Sequence, residues 1–167
     1  LSLMTEQYVK IKNAHILFDA DLIEAPNNTF FDMAHWHGAG SVLSVAQGRG
    51  AACIFEYQGN RYVLRHYRRG GMVAKLSDDR YVWSGLEQTR AWREWRLLVE
   101  MCQLALPVPP PVAARVQRHG LFYTADLVMQ CLTDALPLAD ILMIRALPEI
   151  GWREIGATIG RFHRAGF

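Results

Sequence analysis

The run Arg61-Tyr62-Val63-Leu64-Arg65-His66-Tyr67-Arg68-Arg69-Gly70-Gly71 decides how this chain is read. Arg61 to Tyr67 has the β-branched, aromatic and aliphatic composition of a strand. Arg68-Arg69-Gly70-Gly71 then breaks it, because paired glycines have no side chain to pack and leave the backbone free. Working toward the N-terminus, Gln58-Gly59-Asn60 reads as a tight turn and Ala52 to Tyr57 as a second strand. Gln47-Gly48-Arg49-Gly50 is another turn, and Ser41 to Val45 a further strand. Short strands joined by glycine-bearing turns predict an antiparallel meander. Residues 1 to 37 are mixed. They show only a turn at Pro26-Asn27-Asn28 and an apolar pair, Phe30-Phe31.

Toward the C-terminus, Ser84-Gly85-Leu86-Glu87 has the S-x-x-E form of a capping box. Trp92, Trp95, Leu98 and Cys102 follow at spacings of three and four, which predicts an amphipathic helix. It must end before Pro107, since Pro109, Pro110 and Pro111 come close behind and none can continue a helix. Val112 to Gln117 and Leu121 to Met129 read as two more strands around His119-Gly120. Leu138 to Leu147 reads as a short helix. Trp152, Ile155, Ile159 and Phe162 mark the apolar face of a last helix that closes at Gly166. Five strands with one long helix between the third and fourth, followed only by helices, make an α+β layout. The division falls into residues 1–132 and 133–167.

Composition narrows the function. The chain has 167 residues, 51% of them hydrophobic and 20% charged, so it can bury a core and is not a disordered tail. A net charge of +2 gives no global case for nucleic acid. No apolar run approaches the ~18 residues that a membrane span needs. Leu1 to Glu6 has no basic region leading into an apolar one, so no secretory signal is expected. Cys53, Cys102 and Cys131 are far apart. This argues against a zinc ribbon or disulfide scaffold and suits a reducing cytoplasm.

Charge is concentrated. Residues 61–96 hold nine of the eighteen Lys and Arg against four carboxylates, a local net of +5, while the remainder carries −3. Such a stretch fits an anionic partner, whether nucleotide phosphates, an acidic sugar or lipid headgroups, or else a solvated charged surface. Tyr67, Tyr81 and Trp83 interleave with these cations in the manner of a single-strand binder, but that reading leaves the glycine turn and Glu94 unexplained. Gly48-Arg49-Gly50 could admit a phosphate, since no Cβ stands in the way; it lacks the third glycine of G-x-G-x-x-G, with Cys53 at that place. Gly38-Ala39-Gly40 is a rival turn with no clear strand before it. Arg65 on its strand could reach a cleft beside the glycine loop, and Glu94 on the helix could fix it. The plain alternative is a surface Arg, with Glu94 paired to Arg90 or another neighbour. His35-Trp36-His37, if on a strand, would put two rings on one face, fewer than the three or four ligands a metal usually takes. His163 fits a cation near a helix end. No Ser lies in a G-x-S-x-G elbow.

Val63 to Gly71, Asp79-Arg80-Tyr81, Thr89-Arg90-Ala91-Trp92-Arg93-Glu94-Trp95 and Leu106-Pro107-Val108-Pro109 together resemble the 3-deoxy-D-manno-octulosonic acid (Kdo) kinases of the lipopolysaccharide kinase family. The likeness extends through Gly48-Arg49-Gly50 and Arg161-Phe162-His163-Arg164-Ala165-Gly166. It implies a protein-kinase-like fold: a five-stranded antiparallel N-lobe with one long helix, then the first helices of a helical C-lobe. It further implies nucleotide binding by Gly48, Arg49, Gly50, Arg65, Glu94 and a hinge of Met129, Gln130 and Cys131, and acceptor binding by Arg68, Arg69 and Arg80. Arg65 would stand where protein kinases carry a strand lysine, keeping the charge but turning a point cation into a fork. The implied reaction is transfer of the ATP γ-phosphoryl, with Mg²⁺, to the 4-hydroxyl of Kdo in the Kdo–lipid A precursor, at the cytoplasmic face of the inner membrane. The His-x-Asp-Leu-Asn and Asp-Phe-Asp-like runs of the family match no residues here, so no catalytic residue is assigned. By this reading the 167 residues alone bind nucleotide poorly and transfer no phosphate. The competing reading is a non-catalytic basic module holding an anionic partner. If the last helix lacks a cover, its apolar face is expected to drive self-association.

Overall fold

The computed structural model describes residues 4–46, 52–68, 79–133 and 135–167. Eight strands form one antiparallel sheet: β1 (Glu6–Ile11), β2 (Ala14–Asp19), β3 (Val42–Ala46), β4 (Ala52–Tyr57), β5 (Asn60–His66), β6 (Tyr81–Val82), β7 (Pro111–His119) and β8 (Phe122–Gln130). Their order across the sheet is β1-β2-β7-β8-β5-β4-β3, and β6 pairs with the start of β8. Four helices complete the described fold: α1 (Met33–Gly38), α2 (Arg90–Gln103), α3 (Leu138–Ile144) and α4 (Glu149–Arg164). The five strands expected from the sequence are present as β3, β4, β5, β7 and β8, so the α+β class stands and the strand count is corrected from five to eight.

The three additional strands lack the usual sequence signals. β1 and β2 are joined at Lys12, which sits at φ 56 in the left-handed region where a hairpin normally places glycine. β6 is only two residues long. The capping box at Ser84 is also corrected. Gly85, at φ 107, leads into a 3₁₀ turn over Leu86–Gln88, and α2 starts only at Arg90. The hydroxyl of buried Thr89 donates to the carbonyl of Leu86 at 2.6 Å instead of capping α2, and the first helical N–H, that of Arg90, donates to the Tyr123 hydroxyl at 3.2 Å. His35 and His37 lie on α1, not on a strand, and among the described residues no group of three or more His, Cys, Asp or Glu is placed to hold a metal. α3 ends at Ile144 rather than Leu147.

Strand alternation divides the core into two layers. On one face Ile16, Phe18, Phe55, Tyr62, Leu64 and Val128 pack against Phe30, Phe31 and Trp36 from the connection between β2 and β3. On the other, Leu17, Ala114, Val116, Tyr123 and Leu127 receive Ala91, Trp92, Trp95 and Leu98 of α2. Trp92 and Trp95 are essentially inaccessible, and truncating either to alanine is expected to cost ~3–5 kcal/mol. The indole N–H of Trp95 donates to Glu6 at 2.7 Å, and Arg96 donates to the same carboxylate, so β1 braces α2. α2 stops in a Schellman turn: Leu106 N–H reaches the Met101 carbonyl and Ala105 N–H that of Cys102, each at 2.9 Å. On α4 no side chain is buried; Trp152 and Ile159 are about half exposed.

Candidate functional site

The site grows from the period of two along β5. Leu64 and His66 face the Phe30 layer, so Arg65 between them faces α2, and Tyr67 beyond the strand end faces the same way. The long helix was needed to bring a carboxylate there. Glu94 follows Arg90 by one turn and stands beside Trp95, whose burial fixes how the helix is rolled. The structure thus brings Arg65 and Glu94 together as an ion pair through Arg65 Nη2 and Glu94 Oε2, and Glu94 is not paired with Arg90. Tyr67 joins them: its hydroxyl accepts from Arg65 Nη2 at 2.9 Å and donates to Glu94 Oε2 at 2.6 Å. The Arg65 guanidinium carbon also lies 4.6 Å from the Tyr67 ring centre.

The electrostatics follow from these contacts. Burial works against the charge on Arg65, but Tyr67 and Glu94 outweigh it and push its pKa up, so it stays cationic. Burial, reinforced by the bond to Glu94, pushes the Tyr67 phenol well above its ordinary value and keeps it a donor. Arg65 and Glu94 are each about one-third exposed, at 34% and 30%. Among the described residues, only one arm of the guanidinium is occupied. Neither Nη1 nor the buried Nε makes a hydrogen bond to a described residue. A cavity of about 540 Å³ opens alongside, lined by Tyr67, Arg90, Arg93, Glu94, Leu97 and Leu98.

Pairing carries this geometry across the sheet. Ala46 pairs with Ala52 and Ala52 with Arg65, so the strand ends leading into residues 47–51 lie level with Arg65. Gly48, Arg49 and Gly50 themselves, and Arg69, lie outside the described residues. Val63 pairs with Met129 and Arg65 with Leu127, which puts Met129 on the face of Arg65, about 7 Å further along the strand. Gln130 and Cys131 close the end of β8: the Gln130 N–H donates to the Pro110 carbonyl and that of Cys131 to the Arg61 carbonyl, each at 2.9 Å. They line a separate cavity of about 290 Å³ with Gly59, Asn60, Arg61 and Thr133. Arg80 is exposed just before β6. Arg68 is exposed on the opposite face from Arg65, at a cavity of about 440 Å³ shared with Phe31, His66, Arg115 and Asp126.

That opposite face holds a cluster that the sequence reading missed. Asp126, only 1% exposed, accepts from Arg115 Nε at 2.9 Å and bonds His66 Nδ1 at 2.7 Å. Arg115 Nη1 reaches on to the Asn28 carbonyl at 3.0 Å. The signal was present in Ala125-Asp126-Leu127-Val128, where one carboxylate interrupts an apolar strand and must find a partner. Tyr67 was likewise legible as the residue two along from Arg65.

A family model described as the lipopolysaccharide kinase (Kdo/WaaP) family matches residues 33–167. Three relatives, each named 3-deoxy-D-manno-octulosonic acid kinase, align over nearly the whole chain. The one from Vibrio parahaemolyticus is 40% identical over 98% of this chain and 68% of its own length. That from Photobacterium profundum is 40% identical over 90% of this chain and 64% of its own, and that from Stenotrophomonas maltophilia 39% identical over 90% and 60%. The chain therefore spans roughly two thirds of the length of these relatives. No solved structure matches it. With 135 consecutive residues covered by the family model and identities near 40%, the chain belongs to the lipopolysaccharide kinase (Kdo/WaaP) family.

Proposed function

We propose that the complete protein carrying these residues transfers the γ-phosphoryl of ATP to the 4-hydroxyl of Kdo in the Kdo–lipid A precursor. The observation that carries this reading is the Arg65–Glu94 pair, held level with the strand ends that lead into residues 47–51. A lysine there would offer one ammonium to both carboxylate and phosphate. Arginine separates the two roles, since Nη2 is held by Glu94 and Tyr67 while Nη1 is left to meet a phosphate oxygen. Ala52, Ile54, Val63 and Met129 share the face of Arg65 and offer an apolar bed for the adenine, next to the turn into Gln130 and Cys131.

These residues bind and orient ATP and balance the charge of its phosphates; proton abstraction from the acceptor and the ligands for Mg²⁺ fall to residues outside this set. Arg68, Arg69 and Arg80 are the candidates for the carboxylate and phosphates of the acceptor. No helix among the described residues is long and apolar enough to cross a membrane. Peripheral work on a lipid-linked sugar at the cytoplasmic face of the inner membrane is part of the same proposal.

Labelled ATP and a Kdo–lipid A precursor test the reading. Label is expected on Kdo, and Arg65→Ala is expected to reduce turnover by about 100-fold or more, the scale of a lost charge-assisted contact to a phosphate. A protein that binds the precursor but never labels it, with binding untouched by Arg65→Ala and abolished by salt, would be a non-catalytic basic module instead.

A further inference from the structure

The nucleotide reading rests on Arg65 and Glu94 and takes Tyr67 only as a second contact on Nη2, although Tyr67 is the most constrained of the three. The residue is 8% exposed within the α2 layer, and its N–H is tied to the Ala125 carbonyl at 3.0 Å. Its hydroxyl therefore has a fixed address. From there it touches both charged partners, on the same guanidinium nitrogen that Glu94 holds. A guanidinium gripped by one carboxylate alone can turn about its axis and exchange its two arms, since the arms are chemically alike. A phenol that accepts from Nη2 and lies under the guanidinium plane removes that equivalence.

We propose that Tyr67 is a positioning residue of the nucleotide site: it locks Nη2 of Arg65 against Glu94 so that Nη1 stays turned toward the phosphates. This rests on the nucleotide reading of Arg65. The device costs the nucleotide less ordering on binding, because the cation is already aimed. It also explains the choice of residue, since a lysine has no second arm for a tyrosine to lock.

The test is a set of ATP dissociation constants on the complete protein. Tyr67→Phe keeps the ring and deletes the hydroxyl, and it is expected to weaken ATP binding by about 5- to 10-fold, the scale of ordering one long side chain on binding. In an Arg65→Lys background the same change is expected to do nothing further. A purely structural tyrosine would instead lower thermal stability equally in both backgrounds and leave ATP affinity unmoved. Unchanged ATP affinity in Tyr67→Phe, alongside lost binding in Arg65→Ala, overturns the proposal and leaves the nucleotide reading intact. Unchanged affinity in Arg65→Ala removes the nucleotide reading itself. Should Tyr67→Phe fail to fold, the wild-type protein still decides: separate ¹⁵N signals for Arg65 Nη1 and Nη2 without ATP support the lock, and a single averaged signal refutes it.

Discussion

Arg65 and His66 are neighbours in sequence, face opposite sides of one strand, and each meets a carboxylate. The two meetings differ in what is left over. On the far face, Asp126 is saturated: His66 bonds one oxygen, Arg115 the other, and Arg115 spends its remaining arm on Asn28. Among the described residues the donors of Arg115 and His66 end on the protein, and the cluster ties β5, β7 and β8 to the segment before α1, while exposed Arg68 stands outside it. On the α2 face, among the described residues, Glu94 takes both of its bonds on one oxygen and one arm of Arg65 has no partner, at a site about one-third open to solvent. A saturated cluster around a buried carboxylate holds the frame; an incompletely satisfied one, about one-third open, is what the proposed nucleotide site needs.

The contrast can be broken most directly at Asp126. Asp126→Ala leaves half-buried Arg115 and His66 without their counter-charge, and the expected loss is ~3 kcal/mol in denaturant unfolding. Glu94→Gln, at a partly exposed pair, is expected to cost less than ~1 kcal/mol of stability. If Glu94→Gln destabilises the fold as much as Asp126→Ala, the distinction between frame and receptor fails. Nucleotide affinity should rank the two the other way. Glu94→Gln frees Nη2 and is expected to weaken ATP binding by about tenfold, the order of one charged hydrogen bond. The corresponding change at His66, to Asn, is expected to leave ATP affinity within about twofold.

A pH titration sharpens the same contrast. The bond to Asp126 raises the His66 pKa, with the charges of Asp126 and Asp79 adding to it and burial opposing. A raised folded pKa means that the stabilisation is fully present below the unfolded value of about 6.5 and is lost as pH rises through the folded one. Melting temperature should therefore fall on going upward from about pH 6.5, and His66→Asn should flatten that slope. A slope that His66→Asn does not alter removes His66 from the account. No comparable titration is expected from Arg65 in this range, since its charge persists.

The α2 face was legible in the sequence because two periodicities agree there: a strand of period two carrying Arg65 and a helix of period 3.6 carrying Trp92, Trp95 and Leu98. Once both are accepted, Glu94 has little choice but to approach the strand. The other face was not legible, because its cover comes from residues 20–41. That cover is a chain without long periodicity, held by the Asn27 side chain accepting from Thr29 and Phe30, by the Asp32 cap on α1, and by the Trp36 indole on the Phe30 carbonyl. Side-chain-to-backbone bonds of this sort are set by local geometry and leave only a faint trace in composition. The capping box at Ser84 misled for a related reason. The S-x-x-E pattern was present, but Gly85 at φ 107 turned the chain into a 3₁₀ turn first, and buried Thr89 took the position before the helix.

The smallest expected effect lies at the far end of the helix that carries Glu94. Ala105 holds the Schellman turn at φ 53, a left-handed conformation that costs an L residue with a Cβ ~1 kcal/mol and costs glycine almost nothing. Glycine also widens the unfolded ensemble, so Ala105→Gly is expected to gain only ~0.5 kcal/mol net in denaturant unfolding. The substitution touches neither ion cluster, and Leu106 behind it stays buried. It should therefore raise stability while ATP affinity stays unchanged, because the free arm of Arg65 is set by Tyr67 and Glu94 and not by how firmly α2 is closed. A measured change in ATP affinity on Ala105→Gly would mean that the end of α2 and the pair move together. The receiving site would then be a property of the whole helix rather than of three side chains.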